Sequence, residues 1–161
     1  MTEICNRAVR WAALLLLALL SLEGAAGVAD AKMRVERLWL VMRSGEETPI
    51  DIEIADAPEE KQMGLMFRTE LADNKGMLFP YDVPREVTMW MHNTYIPLDM
   101  VFINADGTVH RIEERAEPLS DRVISSKGPV VAVLELAGGA AKRLGLKPGD
   151  RVRHPLFSKS K

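Results

Sequence analysis

Residues 89–107 read MWMHNTYIPLDMVFINADG. An indole, an imidazole, amides, hydroxyls and two carboxylates stand here among strand-forming apolar residues. Buried polar groups are costly unless they are hydrogen-bonded, so a polar turn (Asn93-Thr94-Tyr95-Ile96-Pro97) held between two apolar runs is where a binding site is expected. In an extended strand, residues two apart share a face, which puts Trp90 and His92 on one side and Met89 and Met91 on the other. An aromatic platform beside the donors of Asn93 and Thr94 and the carboxylate of Asp99 suits a small polar ligand, such as a sugar or an amino-acid-like molecule. The competing reading is that Asn93 and Thr94 bond their own turn and Asp99 ties down nearby backbone, as these types commonly do. Glu117 and Glu135 are weaker candidates for the same ligand. Glu135 lies within Leu134-Glu135-Leu136, a buried strand by pattern, and needs a partner there; Arg68 and Arg143 are the candidates.

Other chemistries use the same residues. Asp99 paired with Glu117 or Glu135 could do general acid–base work on a sugar, making the protein a hydrolase or transferase. Met63, Met66, Met77, Met89, Met91 and Met100 raise Cu(I) binding with His92 and Trp90, although strand alternation turns Met89 and Met91 away from the imidazole. No three-ligand zinc set stands out: His110 sits in an apolar setting and His154 is expected to be exposed near the chain's end. The serines of 120–126 lack a nucleophile-elbow pattern. No cofactor is implied.

These residues must be positioned by strands. Clean alternation over 50–54, strand-like runs over 38–42, 87–92 and 98–104, and a short strand over 76–79 before a loop at 80–84 predict a β-rich chain. A short helix starts near Asp56, its expected cap, with Glu59 three residues on and Gly64 at its end. Asp106-Gly107 signals a hairpin. Extended as a two-residue turn, it sets Ile103 opposite His110, Val101 opposite Ile112, and Asp99 opposite Glu114. The last pair needs a cation, a shared proton, or a bulge before Asp99, and the bulge is the cheapest. The apolar run 130–136 reads as a central strand covered on both faces. One or two helical turns follow over 138–144, then a Pro-Gly turn at 147–150 and a last short strand over 151–154. The expected architecture is mainly β, a compact sandwich or barrel of short strands with one or two short helices.

The ends bound the setting. Arg7 and Arg10 precede an apolar run of about ten residues, too short for a bilayer span of roughly twenty, and Ala29-Asp30-Ala31 fits a cleavage pattern. A signal peptide over 1–31 is expected, with cleavage after Ala31 or Ala29, and a single domain over 32–161, periplasmic or secreted. The single cysteine, Cys5, falls within that leader. The mature chain then has no thiol for disulfides, thiolate metal sites or nucleophilic catalysis. Taking two arginines and three acidic residues from totals of 21 and 23 leaves 19 basic against 20 acidic, a net charge of −1. A near-neutral chain without a basic stripe argues against nucleic acid as partner. Membrane contact is expected only through the leader during export, and the sequence sets no oligomeric state.

Several stretches carry a resemblance. Gly64-Leu65-Met66-Phe67-Arg68, Gly76-Met77-Leu78-Phe79, Trp90-Met91-His92-Asn93-Thr94, Ile96-Pro97-Leu98-Asp99, Ala132-Val133-Leu134-Glu135, and Gly145 with Lys147-Pro148-Gly149-Asp150-Arg151-Val152 resemble the DUF192 (UPF0127) family across residues 50–152. The resemblance implies a compact β-rich domain, often exported, of unknown biochemical function, and transfers no catalytic residues. Where this chain has His92, the family usually has a basic residue, commonly Lys. The expectation is an exported, non-enzymatic binding or accessory module for a small polar ligand at Trp90, His92, Asn93, Thr94 and Asp99. A carboxylate-based hydrolase or transferase and a periplasmic Cu(I)-binding protein are the alternatives.

Overall fold

Alternating burial draws half of the described residues into one sheet. The structure, a computed structural model, describes residues 33–157; the expected leader and its cleavage positions lie outside the described residues. Seven strands are formed: β1 (Arg34–Val41), β2 (Glu47–Ile54), β3 (Lys75–Met89), β4 (Leu98–Ile103), β5 (Val109–Ala116), β6 (Ile124–Ala137) and β7 (Arg151–Arg153). Helix α1 (Pro58–Met63) lies between β2 and β3, and α2 (Ala140–Arg143) between β6 and β7. The strands make one curled sheet in the order β5-β4-β6-β3-β2-β1-β7, antiparallel throughout except where β2 meets β3. The mainly-β expectation is met by this half-barrel.

The sheet is apolar on both faces. Leu78, Val101, Ile103, Leu134 and Leu136 join Leu38, Leu40, Ile50, Ile52 and Ile54 in one core. Their alternates Met77, Phe79, Met100, Phe102 and Val133 join Leu65, Met91 and Leu98 in a second. Strand β6 lies between β4 and β3, and Val133 to Leu136 are all buried, as the apolar run predicts.

The two edges of the sheet meet at one end. Thr108 and Arg151 form a bridge, and Val152 N–H donates to the Gly107 carbonyl at 2.7 Å while Val109 N–H donates to that of Asp150 at 2.8 Å. Gly107 is what permits this. Its φ of +83° is in the left-handed region, and a Cβ there would lie 2.6 Å from the Val152 carbonyl oxygen.

Three expectations are corrected. The loop at 80–84 is part of a single fifteen-residue β3, in which Pro80 and Arg85 flank a register shift against β6. A bulge absorbs the prolines, which cannot donate to a ladder. The residue preceding α1 is Ala57 rather than Asp56; the Glu60 carboxylate caps the start by accepting from the Asp56 and Ala57 N–H groups at 2.8 and 2.9 Å. His154 is buried rather than exposed, because the 3-10 turn Pro155–Phe157 folds over it and Glu36 meets its Nε2 at 2.9 Å.

The hairpin also differs from a two-residue turn. Asn104 N–H donates to the Thr108 carbonyl and Gly107 N–H to that of Asn104, a three-residue loop with glycine at its left-handed position. Val101 still faces Ile112, but Ile103 faces Val109 and Leu98 faces Ala116, with register shifts on both sides. The shift beyond Met100 is the bulge expected before Asp99. Replacing Gly107 with Ala should cost on the order of 3 kcal/mol, from backbone strain plus the carbonyl clash, read as a loss in urea-unfolding free energy; an unchanged midpoint would remove the edge-closing role.

Candidate functional site

The end of β3 delivers Trp90 and His92 to one face, as their spacing predicts. Their rings stack at 5.2 Å with planes 30° apart, and Trp90 is 52 % exposed. His92 Nδ1 lies 2.8 Å from Asp121 Oδ1, so an exposed carboxylate orients the imidazole. Asp121, from the loop before β6, carried no signal in the sequence. The turn that follows largely serves itself: Thr94 donates its hydroxyl to the His92 carbonyl at 3.2 Å and its N–H to that of Met91. Asn93 takes a positive φ of 53°, which its residue type tolerates, and its carbonyl accepts from the Phe67 N–H at 2.9 Å. That bond pins the segment after α1 against the turn. Phe67 packs edge-on to Tyr95 at 5.9 Å, and Arg68 grips Glu53 with two bonds of 2.7 and 2.5 Å. Met91 is packed in the second core while His92 turns outward, so thioether and imidazole face apart.

Asp99 is not part of this face. It is fully buried, and its two oxygens accept from the N–H groups of Arg115, Gly139 and Ala141, each at 2.8 Å. The expected pairing of the Trp90 indole and the Asp99 carboxylate in one cleft is therefore corrected: backbone donors satisfy this carboxylate. The bulge carries Arg115 at a φ of 49°, turning its N–H onto Asp99, while Glu114 stays exposed. Glu117 is also exposed and stands outside the cavity described next.

The acid that reaches the Trp90 face is Glu135. On β6 it lies in register between Met77 of β3 and Met100 of β4, pointing to the second core. It is 4 % exposed. Neither expected arginine pairs with it: Arg68 is taken by Glu53, and Arg143 by Asp73 at 2.7 and 2.6 Å. Its carboxyl has no hydrogen-bond partner among the described residues, although every fully enclosed side-chain polar atom there has one. The carboxyl instead lines a cavity of about 130 Å³. The walls come from the turn after α1 (Gly64, Leu65, Met66), from Phe79, Tyr81, Thr88 and Met89 of β3, and from Trp90 and Thr94; the partly exposed Lys61 and the exposed His92 also line it. Lys61 and Tyr81 went unnoticed in the sequence. Outside, Met63, Met66, Phe67, Trp90 and Asn93 line a wider groove of about 540 Å³. Burial pushes the Glu135 carboxyl up to about 8, so at neutral pH it is mostly a protonated hydrogen-bond donor.

Two outcomes test this geometry. Asp99→Asn places an NH₂ group among N–H donors and should cost on the order of 3 kcal/mol in chemical denaturation, whereas Trp90→Ala, at an exposed position, should change stability little. Glu135 should make stability fall as pH rises. Below 4.5 both states hold the proton; between 4.5 and about 8 the folded state keeps a proton that the unfolded chain has released. Across that window the loss is on the order of 4 kcal/mol, and Glu135→Gln should abolish this part of the slope in urea titrations at pH 5, 6, 7 and 8. A variant whose slope matches the parent would show that the carboxyl is not held protonated.

The family model DUF192, described as "Uncharacterized ACR", matches residues 40–154. No curated protein matches the chain. Among solved structures, a Sinorhizobium meliloti protein described in provisional terms as a transcription regulator is 45 % identical, with a TM-score of 0.75, covering 77 % of this chain and 96 % of its own. A protein of unknown function from Novosphingobium aromaticivorans is 40 % identical, with a TM-score of 0.74, covering 78 % of this chain and 89 % of its own. The chain belongs to the DUF192 family.

Proposed function

We propose that this protein is an exported, non-enzymatic binding module that takes a small polar ligand into the cavity beneath Trp90. One observation carries the reading: Glu135 is buried without a protein hydrogen-bond partner and lines a cavity open to the surface. A buried polar group left to a cavity has its partner outside the chain, whether water or ligand. Cavities of about 150 Å³ hold benzene, so one of about 130 Å³ takes a group of similar size. The Trp90–His92 stack gives that group an aromatic wall at the mouth. The ligand-binding role expected for Trp90, His92 and Thr94 is kept, Asn93 lines the outer groove, and Glu135 takes the place expected for Asp99.

The geometry gives less support to hydrolysis, which needs two available carboxyl groups: Asp99 is held by three N–H groups, and Glu135 stands alone on its face. Export rests on the leader read from the sequence. Mass spectrometry of periplasmic extract should give a mature N-terminus after Ala31 or Ala29, and a full-length cytoplasmic chain would refute export. Binding is tested by amide NMR with a library of polar fragments of roughly ring size. Shifts should cluster at Leu65, Thr88 and Glu135 and disappear in a folded Thr88→Trp variant that fills the mouth. A library that perturbs no amide around the cavity would refute the binding reading.

A further inference from the structure

We infer that the ligand is an alkylammonium: a primary ammonium on an apolar stem, entering head first to meet Glu135 with its stem against Met66 and Trp90. The inference rests on the binding reading above and adds the chemical class. Three features of the cavity select it.

The first is the floor. The Glu135 carboxyl stands between Met77 and Met100 with no partner among the described residues. A neutral hydroxyl ligand gains an ordinary hydrogen bond there. An ammonium gains a charge-assisted one, roughly twice as strong, in a setting where water screens it little.

The second is the wall. Leu65, Met66, Phe79 and Met89 are apolar, and Tyr81 and Trp90 are aromatic. Such a wall accepts methylene groups and offers ring faces to a cation. The Tyr81 ring is already engaged, with Lys61 Nζ 5.4 Å and the Arg85 guanidinium 4.6 Å from its centre, so the exposed Trp90 indole is the ring a ligand meets. The groove beyond is lined by Met63, Met66, Phe67 and Trp90 together with Glu59, Gln62, His92 and Asn93, and its apolar side can hold the rest of the stem.

The third is the charge balance. The titratable and charged groups around the carboxyl are Tyr81 from β3 with Arg85 over its ring, Lys61 from α1 and His92 from the turn after β3; β4 contributes the uncharged Met100. Lys61 is partly exposed and His92 exposed, so solvent screens their repulsion of an entering cation. No acidic side chain competes with Glu135 among the groups lining the cavity. Because the carboxyl is raised to about 8, ammonium binding at pH 7 ionises it and releases its proton to solvent. Affinity then rises with pH towards that value.

The test is isothermal titration of the protein with n-hexylamine and its near-isostere 1-hexanol at pH 7.5, in two buffers of different ionisation enthalpy, and again at pH 6. We expect the amine to bind at least about tenfold more tightly than the alcohol, with proton release at pH 7.5 and weaker binding at pH 6. The preference should vanish in Glu135→Gln, and Thr88→Trp should weaken both ligands. Equal affinity for amine and alcohol, or an amine preference that survives Glu135→Gln, overturns the ammonium class while leaving a binding cavity. Proton release in the unmodified protein is a second readout that does not depend on the variant folding; its absence also overturns the inference. If neither compound binds and the fragment library also leaves the cavity amides unmoved, the binding reading falls with it.

Discussion

The Asp99 carboxylate ties two backbone segments to β4 that the sheet alone would leave apart. It holds the β5 bulge through Arg115 N–H and the entry to α2 through Gly139 and Ala141 N–H. Next to it, Gly138 N–H donates to the Pro97 carbonyl at 2.8 Å, and a Cβ on Gly138 would lie within 3 Å of Pro97 atoms. The turn over 93–97 is thereby locked to the exit of β6. Asp99 pairs with Leu136, and the next pair is Met100 with Glu135. The clamp thus lies one step from the cavity floor and holds the register that presents Glu135. A carboxylate that accepts several backbone N–H bonds is cheap to bury because its charge is met where it sits.

Glu135 is the opposite case in the neighbouring strand. It has comparable burial but no donors, and the two arginines best placed by sequence to serve it are gripped by Glu53 and Asp73. The fold elsewhere supplies ion pairs readily: Glu113 alone is met by Arg111 and Arg122. Leaving one interior acid unpartnered costs stability whenever it ionises. Under the proposed binding, a carboxyl kept at the end of an open cavity ionises when a cation arrives, and the burial that is a structural cost is what would make the floor selective.

Much of this was legible in the sequence because it depends on local periods. The alternation at 50–54, the apolar run at 130–136 and the Asp106-Gly107 turn each follow from backbone geometry within a few residues. The sharing of a face by Trp90 and His92 follows from the two-residue period. What was not legible is long-range. Nothing near Glu135 in sequence says that Arg68 will find Glu53, or that Tyr81 and Lys61 will approach from β3 and α1. Pro80 and Pro84 suggested a loop because they cannot donate to a ladder; only the pairing with β6 reveals a bulge that accommodates them. Asp99 looked like a ligand group because a polar residue before an apolar run is conspicuous, while its donors lie 16 to 42 residues downstream.

The cavity's walls are fixed by the chain's own contacts. Its outer wall, the turn after α1, is fixed at three points: a Cβ on Gly64 would stand 3.3 Å from the Phe79 ring, the Phe67 N–H is bonded to Asn93, and Arg68 is held by Glu53. Its inner wall is the sheet itself. A site whose backbone is already ordered spends little binding energy on ordering it. Discrimination then falls to the two ends of the cavity, an aromatic stack at the mouth and a solitary acid at the floor. Large apolar residues left on a surface are ordinary when scattered and informative when gathered. Here Met63, Phe67 and Trp90, each about half exposed, line the groove that leads to that acid. Under the proposed binding, this apolar strip leading to a buried acid is the part of the site that would meet the stem of a polar-headed molecule.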